Sequence, residues 1–333
     1  MTDLSAKRVL RITCIALFVM VVAGVSEAEL KFSGWLQMRY NEWDSDLSPA
    51  PDTFDLRRMR LTVDGNLGER TKARVQIEIA GFDDTKGVKG IEYKNWYLEH
   101  RLSQELSGTL GFTSATFGIE VPMSNSKLIP LERSQAALKL FPGERDTGVY
   151  LHWKPTEGRR PQVSVGFSDG LSRWQDLDKK GDKDTDSEAW YARVQWPLPR
   201  KGVIGASYRS ADRTHRASGV LTDYQDDLLG LHARYVFPAH WAVQGEYYDG
   251  ENLGVDVMGW YGQAEYALGS CPVTAFYRYD KYDFGGNDDY ARETMGLVWY
   301  RTKTDQFTVH SESYDDGKGA SFTNWALQYQ VLY

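Results

Sequence analysis

The sequence predicts an all-β fold, a transmembrane antiparallel β-barrel of about 16 strands, and three observations predict it. Aromatic residues make up 13% of the chain, with 20 Tyr and 11 Trp, yet hydrophobic residues reach only 41%. The mean hydropathy is -0.51. A barrel in lipid accounts for both, because Trp and Tyr gather in its interfacial girdles while its lumen is polar. After Val25 no apolar stretch is long enough for a membrane-spanning helix, and a closed sheet is then the remaining way to satisfy the backbone in a bilayer. Finally, side-chain character alternates with a period of two along segment after segment.

The N-terminal segment sets Lys7, Arg8 and Arg11 ahead of an apolar run from Ile12 to Val25 and then Ser26-Glu27-Ala28. This is the layout of a secretory signal peptide with cleavage after Ala28. The run is too short for an anchor, which needs roughly 20 residues. The expected domains are therefore a signal peptide, 1–28, and a barrel, 29–333, exported to the bacterial outer membrane. Removing 1–28 takes away three basic and two acidic residues, so the formal charge moves from -7 to -8. Such an acidic chain excludes nucleic acid as a partner, since phosphates need a basic surface. Cys14 leaves with the signal, and Cys271 alone allows neither an intrachain disulfide nor a cysteine metal cluster.

The first strand reads Leu30, Phe32, Gly34, Leu36, Met38 and Tyr40 on one parity, against Lys31, Ser33, Trp35, Gln37, Arg39 and Asn41 on the other. One face suits lipid and the other water. Later lipid-facing sets include Met59, Leu61 and Val63; Val75, Ile77 and Ile79; Val149, Leu151 and Trp153; Trp190, Val194 and Trp196; and Leu229, Leu231 and Tyr235. Trp260, Ala264 and Tyr266, then Tyr277 and Tyr279, then Met295, Leu297 and Trp299 continue the series, and Trp325, Leu327, Tyr329, Val331 and Tyr333 close it. Short breaks fall near Gly68-Glu69-Arg70, Pro155, Pro197, Pro238 and Gly269, and long or polar ones at 44–53, 83–90, 117–146, 168–187, 210–224, 249–256, 283–290 and 315–320. Such an alternation of break lengths fits short periplasmic turns facing long external loops.

Parity sends Arg39, Arg58, Arg60 and Arg74 to the lumen as a basic stripe, which would concentrate anions in a water-filled pore. A tight turn centred near Glu69 pairs positions summing to about 138 and keeps Val63 with Val75 on the lipid face. The same register sets Arg60 opposite Glu78 and Asp64 opposite Arg74, cross-strand pairs worth about 0.2–1 kcal/mol each. Arg58 then faces Ala80 and is the strand arginine expected to be free for an anion.

The long segment 117–146 carries Lys127, Arg133, Lys139 and Arg145 against Glu120, Glu132, Glu144 and Asp146. Farther on, Glu246, Glu265, Asp280 and Glu312 share lumen parity with Arg193, Arg234 and Arg278. Asp182, Asp184, Asp186 and Glu188 echo the spacing of a calcium loop, but Ser187 and Arg193 stand where its glycine and final glutamate belong, so a solvated loop is expected and no metal. His152, His232 and His310 lie on separate strands without a nucleophile motif, so no enzyme activity and no cofactor are expected.

Phe54-Asp55-Leu56-Arg57-Arg58-Met59-Arg60-Leu61, Ala80-Gly81, Tyr97-Leu98-Glu99, Glu132-Arg133-Ser134 and Pro142-Gly143-Glu144-Arg145-Asp146-Thr147-Gly148 together resemble the phosphate-selective porin O/P family. The resemblance implies a homotrimer of 16-stranded barrels in outer-membrane lipid, each narrowed by an inward-folded third external loop. It implies passive diffusion of small anionic or polar solutes with a mild preference for anions, phosphate among them. The anion site it implies comprises Arg57, Arg58 and Arg133, with Lys127 and Arg145 as neighbours and Arg39, Arg60 and Arg74 lining the pore. Trp35 departs from the pattern, standing where the phosphate-selective members carry Arg. The alternative is a non-conducting structural or surface-binding β-barrel.

Overall fold

The computed structural model describes residues 29–44, 53–83, 87–141, 143, 145–156, 159–170, 187–217, 220–286, 290–315, 317 and 321–333. The expected signal peptide and the acidic run at 182–186 lie outside the described residues. The strands in chain order are β1 (Glu29–Asp44), β2 (Thr53–Asn66), β3 (Thr71–Asp83), β4 (Gly87–Arg101), β5 (Leu106–Ser114), β6 (Arg145–Trp153), β7 (Gln162–Ser168) and β8 (Glu188–Leu198). They continue as β9 (Gly202–Ala217), β10 (Val220–Val236), β11 (Trp241–Asn252), β12 (Val255–Ala267), β13 (Val273–Phe284), β14 (Tyr290–Tyr300), β15 (Asp305–Asp315) and β16 (Ser321–Leu332). Each pairs antiparallel with its chain neighbours, and β1 pairs with β16, so the sheet closes as the sequence predicts. Closure leaves no edge whose N–H and C=O groups would face lipid unpaired.

The barrel is inside out relative to a water-soluble core. Phe32, Leu61, Trp190, Leu231, Met295 and Trp325 are exposed on the outer face, while Gln37, Arg58, Glu246, Arg278 and Gln328 are buried within. Ring pairs gather at both ends of the wall: Tyr40 with Phe54 at 4.8 Å at the long-connection end, Trp241 with Tyr266 at 4.7 Å at the short-turn end. The final residue is tied into the seam. Gly34 and Tyr333 exchange backbone hydrogen bonds of 2.8 and 3.0 Å, and a Cβ on Gly34 would stand 2.5 Å from the Tyr333 ring.

The register between β2 and β3 is the expected one, with Val63 opposite Val75, Arg60 opposite Glu78 and Asp64 opposite Arg74. Between β1 and β2 it shifts: Gln37 faces Arg58 but Met38 faces Leu56, leaving Arg57 as an extra residue. A second bulge makes Lys94 the extra residue of β4, since Gln76 faces Asn95 and Ile77 faces Tyr93. At each bulge two consecutive side chains break the alternation, and strict parity ceases to hold.

Three of the expected long or polar breaks are short, the first at 83–90, where β3 runs to Asp83 and β4 begins at Gly87. At 249–256 a tight turn through Leu253 and Gly254, both at positive φ, joins β11 directly to β12. At 210–224 the strands run on to Ala217 and resume at Val220. Beyond the lipid a strand is free to be polar on both faces, so its composition reads like a loop's.

Candidate pore and constriction

The third connection on the side opposite the short turns, between β5 and β6, turns into the barrel. Its sequence supplies an apolar face, with Phe117, Val121, Ala136, Ala137, Leu140 and Phe141 all buried. These pack on Tyr150, Tyr191, Leu228, Tyr248, Val257 and Tyr282 of the inner wall, so the loop is held by burial as well as by polar bonds. Helix α1 (Gln135–Leu140) carries part of this face. Its N-cap, Ser134, accepts from the Ala137 N–H at 3.3 Å and donates its hydroxyl to Glu120 at 2.7 Å.

Lumen-facing side chains anchor the loop to the far wall. Glu246 of β11 accepts from the Ile119 and Glu120 N–H groups at 2.9 and 2.7 Å, and Asp280 of β13 accepts from the Gln135 N–H at 2.7 Å. The fully buried Arg278 donates to the Glu120 carboxylate at 3.1 Å and to the Glu132 carbonyl at 2.9 Å. Gln330 of β16 donates to the Ser126 carbonyl at 3.0 Å. Gly118 has to be glycine here: its φ is +59°, and a Cβ would lie 2.0 Å from the Glu246 carboxylate.

At the near wall three guanidinium groups close on one carboxylate. Arg57 and Arg39 approach Glu132 Oε1 at 2.9 Å each, and Arg58 approaches Oε2 at 2.8 Å. Burial by itself would raise the Glu132 pKa, but Arg57, Arg58 and Arg39 outweigh it and hold the carboxyl well below the usual carboxylate range. Arg58 does face Ala80 in register. It is nonetheless bonded to Glu132, and to Gln37 at 3.3 Å, which corrects the expectation of a free guanidinium. Cross-strand pairing foretells only partners within the sheet, and this one comes from the loop.

The loop fills the β9–β16 side and leaves a cavity of about 410 Å³ against the β2–β8 wall. Its lining includes the cations Arg60, Arg74, Arg145, Lys154 and Arg193 and a single carboxylate, Glu99, among the described residues. Neutral Gln76, Asn95, Thr109, Ser164 and Gln195 complete a wettable wall, with Pro122, Met123 and Ser124 of the loop on the other side. Arg60 is bonded to Glu78 and lies 4.8 Å over the ring of Trp35, which thereby belongs to the wall. Arg74 is bonded to Asp64 at 2.6 and 2.9 Å, while Arg145 donates to Asn95 at 3.3 Å.

The eight basic residues singled out by sequence thus divide into three groups. Arg39, Arg57 and Arg58 clasp Glu132; Arg60, Arg74 and Arg145 line the cavity; Arg133 and Lys127 belong to the loop. Arg133 is buried and spends its donors on the Glu120 and Met123 carbonyls and the Asn125 side chain, so it braces the loop from within. Lys127 is exposed at the end of a 3₁₀ turn (Asn125–Lys127). Lys154 escaped the sequence reading, and so did the pairing of Arg39, Arg57 and Arg58 with Glu132. Lys154 sits just past the end of β6, one residue beyond the segment whose alternation the sequence reading followed.

No family model matches the sequence, and no curated protein matches it by sequence. Solved structures do. The outer membrane channel DcaP of Acinetobacter baumannii is 12% identical with a TM-score of 0.66, over 92% of this chain and 97% of that one. The trimer form of in-vitro folded OmpT, an outer membrane protein of Vibrio cholerae, is 12% identical with a TM-score of 0.63, over 92% of this chain and 100% of its own. Salmonella typhi OmpF, in complex with daunomycin, is 9% identical with a TM-score of 0.63, over 91% and 97%. At these identities the likeness is one of architecture: the chain has the 16-stranded transmembrane fold of the outer-membrane porins.

Proposed function

We propose that this chain is a passive outer-membrane pore for small hydrophilic solutes with a mild preference for anions, phosphate among them. The observation that carries the reading is the polar cavity left between the inward loop and the β2–β8 wall of a closed, lipid-facing barrel. Size is set by the loop. Charge selection follows from the cations of the passage outnumbering Glu99, the one carboxylate among its described lining residues, because a low-dielectric wall focuses their field on the solute path. Two of those cations, Arg60 and Arg74, are offset by Glu78 and Asp64, which keeps the preference mild.

The working form is a homotrimer exported with removal of 1–28, and neither catalysis nor a cofactor enters. Support for the trimer is the trimeric form among the structural neighbours. Liposome swelling tests the reading against a non-conducting barrel. Proteoliposomes holding residues 29–333 are expected to swell in small sugars and faster in small anions of equal size. A folded, heat-modifiable oligomer that admits neither overturns it.

A further inference from the structure

We propose that Arg193 and Lys154 form an oxyanion-binding subsite on the β6–β8 wall of the passage, near its short-turn mouth; this rests on the pore reading above. Three adjacent strands build it. His152, Ser164 and Arg193 stand in one cross-strand row, since His152 pairs with Ser164 and Ser164 with Arg193. Gln162 and Gln195 are opposite each other in the next row toward the short turns, and the alternation carries Lys154 onto that row just past Trp153. All six side chains line the cavity, and none of them is acidic.

The donors are unevenly satisfied. Arg193 gives one amino group to the Gln195 side chain, but its buried Nε has no acceptor. Arg193 and Lys154 make no ion pair among the described residues, and both act electrostatically on the same imidazole, His152. The carboxylate felt by Arg193 is Glu246, whose oxygens are taken by the loop N–H groups and by Tyr261. His152 and Ser164 bond each other at 2.9 Å, leaving the pair as a neutral side wall. With the Gln195 amide nitrogen 3.1 Å from His232 Nε2, a guanidinium with an unused N–H beside an ammonium and the Gln162 amide matches a ligand with several acceptor oxygens. Chloride, a single-point acceptor, gains less from the same set.

The test is block of single-channel chloride current by inorganic phosphate, with succinate as a carboxylate probe. Phosphate is expected to reduce the chloride current of the unaltered pore in a saturable way. Arg193→Gln and Lys154→Gln should each raise the half-blocking concentration about tenfold, the loss of one charge-assisted bond. Arg159→Gln, an exposed site in the same β6–β7 connection, controls for net charge and should leave block unchanged. Block by succinate as strong as by phosphate assigns the site to oxyanions in general, and weaker block narrows it to phosphate. Absence of phosphate block, or unaltered block in Lys154→Gln and Arg193→Gln, overturns the subsite while leaving the pore. Lys154→Gln lies outside the strands and reads out the site even where Arg193→Gln fails to fold. Absence of channels altogether overturns the pore reading instead.

Discussion

The Arg57 guanidinium lies 2.9 Å from a carboxylate oxygen of Glu132, a residue 75 positions along the chain. By strict alternation Arg57 should point to lipid, because its neighbour Arg58 points to the lumen. The bulge between Gln37 and Met38 removes that conflict and delivers both arginines to the same face. One inserted residue thereby decides where the constricting loop is fastened. Arg39 completes the clasp, and a buried charge set of this kind stands only while each member keeps its partners.

Replacing Glu132 by Gln leaves three guanidinium groups around a neutral amide. The expected cost is about 3 kcal/mol, toward the lower end for breaking a buried ion pair, since Arg57 is partly screened by solvent. Open-channel noise should rise as the loop loosens, and the reversal potential should move toward the anion value. Recording wild type and Glu132→Gln in one salt gradient checks both; identical noise and selectivity would count against the clasp.

The same carboxyl sets a pH dependence. Its native pKa lies below the ordinary 4.5, so its stabilisation is complete above that value and is lost only as the pH falls through the lower native one. The gap in heat-modification midpoint between wild type and Glu132→Gln should therefore hold from neutral pH down to about pH 5 and close on further acidification. A gap already gone at about pH 5 would show that the three arginines do not hold the group ionised.

Two pairs predicted by one register should differ in strength. Arg60 and Glu78 are buried, whereas Arg74 and Asp64 keep 38% and 34% of their side chains exposed. Arg60→Ala should cost about 3 kcal/mol, because Glu78 is left with only Lys94. Arg74→Ala should cost less than about 1 kcal/mol. Urea unfolding in lipid vesicles separates the two, and equal losses would contradict the burial argument.

Gly118→Ala puts a methyl group onto the Glu246 carboxylate and asks alanine to hold a left-handed backbone. The expected penalty is about 1–3 kcal/mol, falling on the loop anchor and not on the barrel. Protease protection of 115–141, compared with the heat-modification midpoint of the whole oligomer, reports where it falls. Loss of both together would place Gly118 in the barrel's own stability.

The sheet was legible in the sequence because lipid and water impose opposite demands on alternate residues. The pairing of Val63 with Val75 and of Arg60 with Glu78 followed from the turn at Glu69. Arg57 was not legible from parity, since a bulge changes direction without changing composition; only the family resemblance pointed to it. The clasp on Glu132 was hidden for another reason. Its partners meet through the loop, and a loop's path is chosen by where Phe117, Leu140 and Phe141 find an apolar wall, which no local pattern records. The hairpin ends at Leu253 and Ala217 were misread because the pattern that marks a strand stops where lipid stops.

The most direct measurement is single-channel recording of refolded residues 29–333 in a planar bilayer under a potassium chloride gradient. Stepwise conductance is predicted, with a reversal potential displaced toward chloride. A folded, heat-modifiable oligomer that inserts without steps would contradict the account, and steps favouring potassium would contradict its assignment of the passage charge.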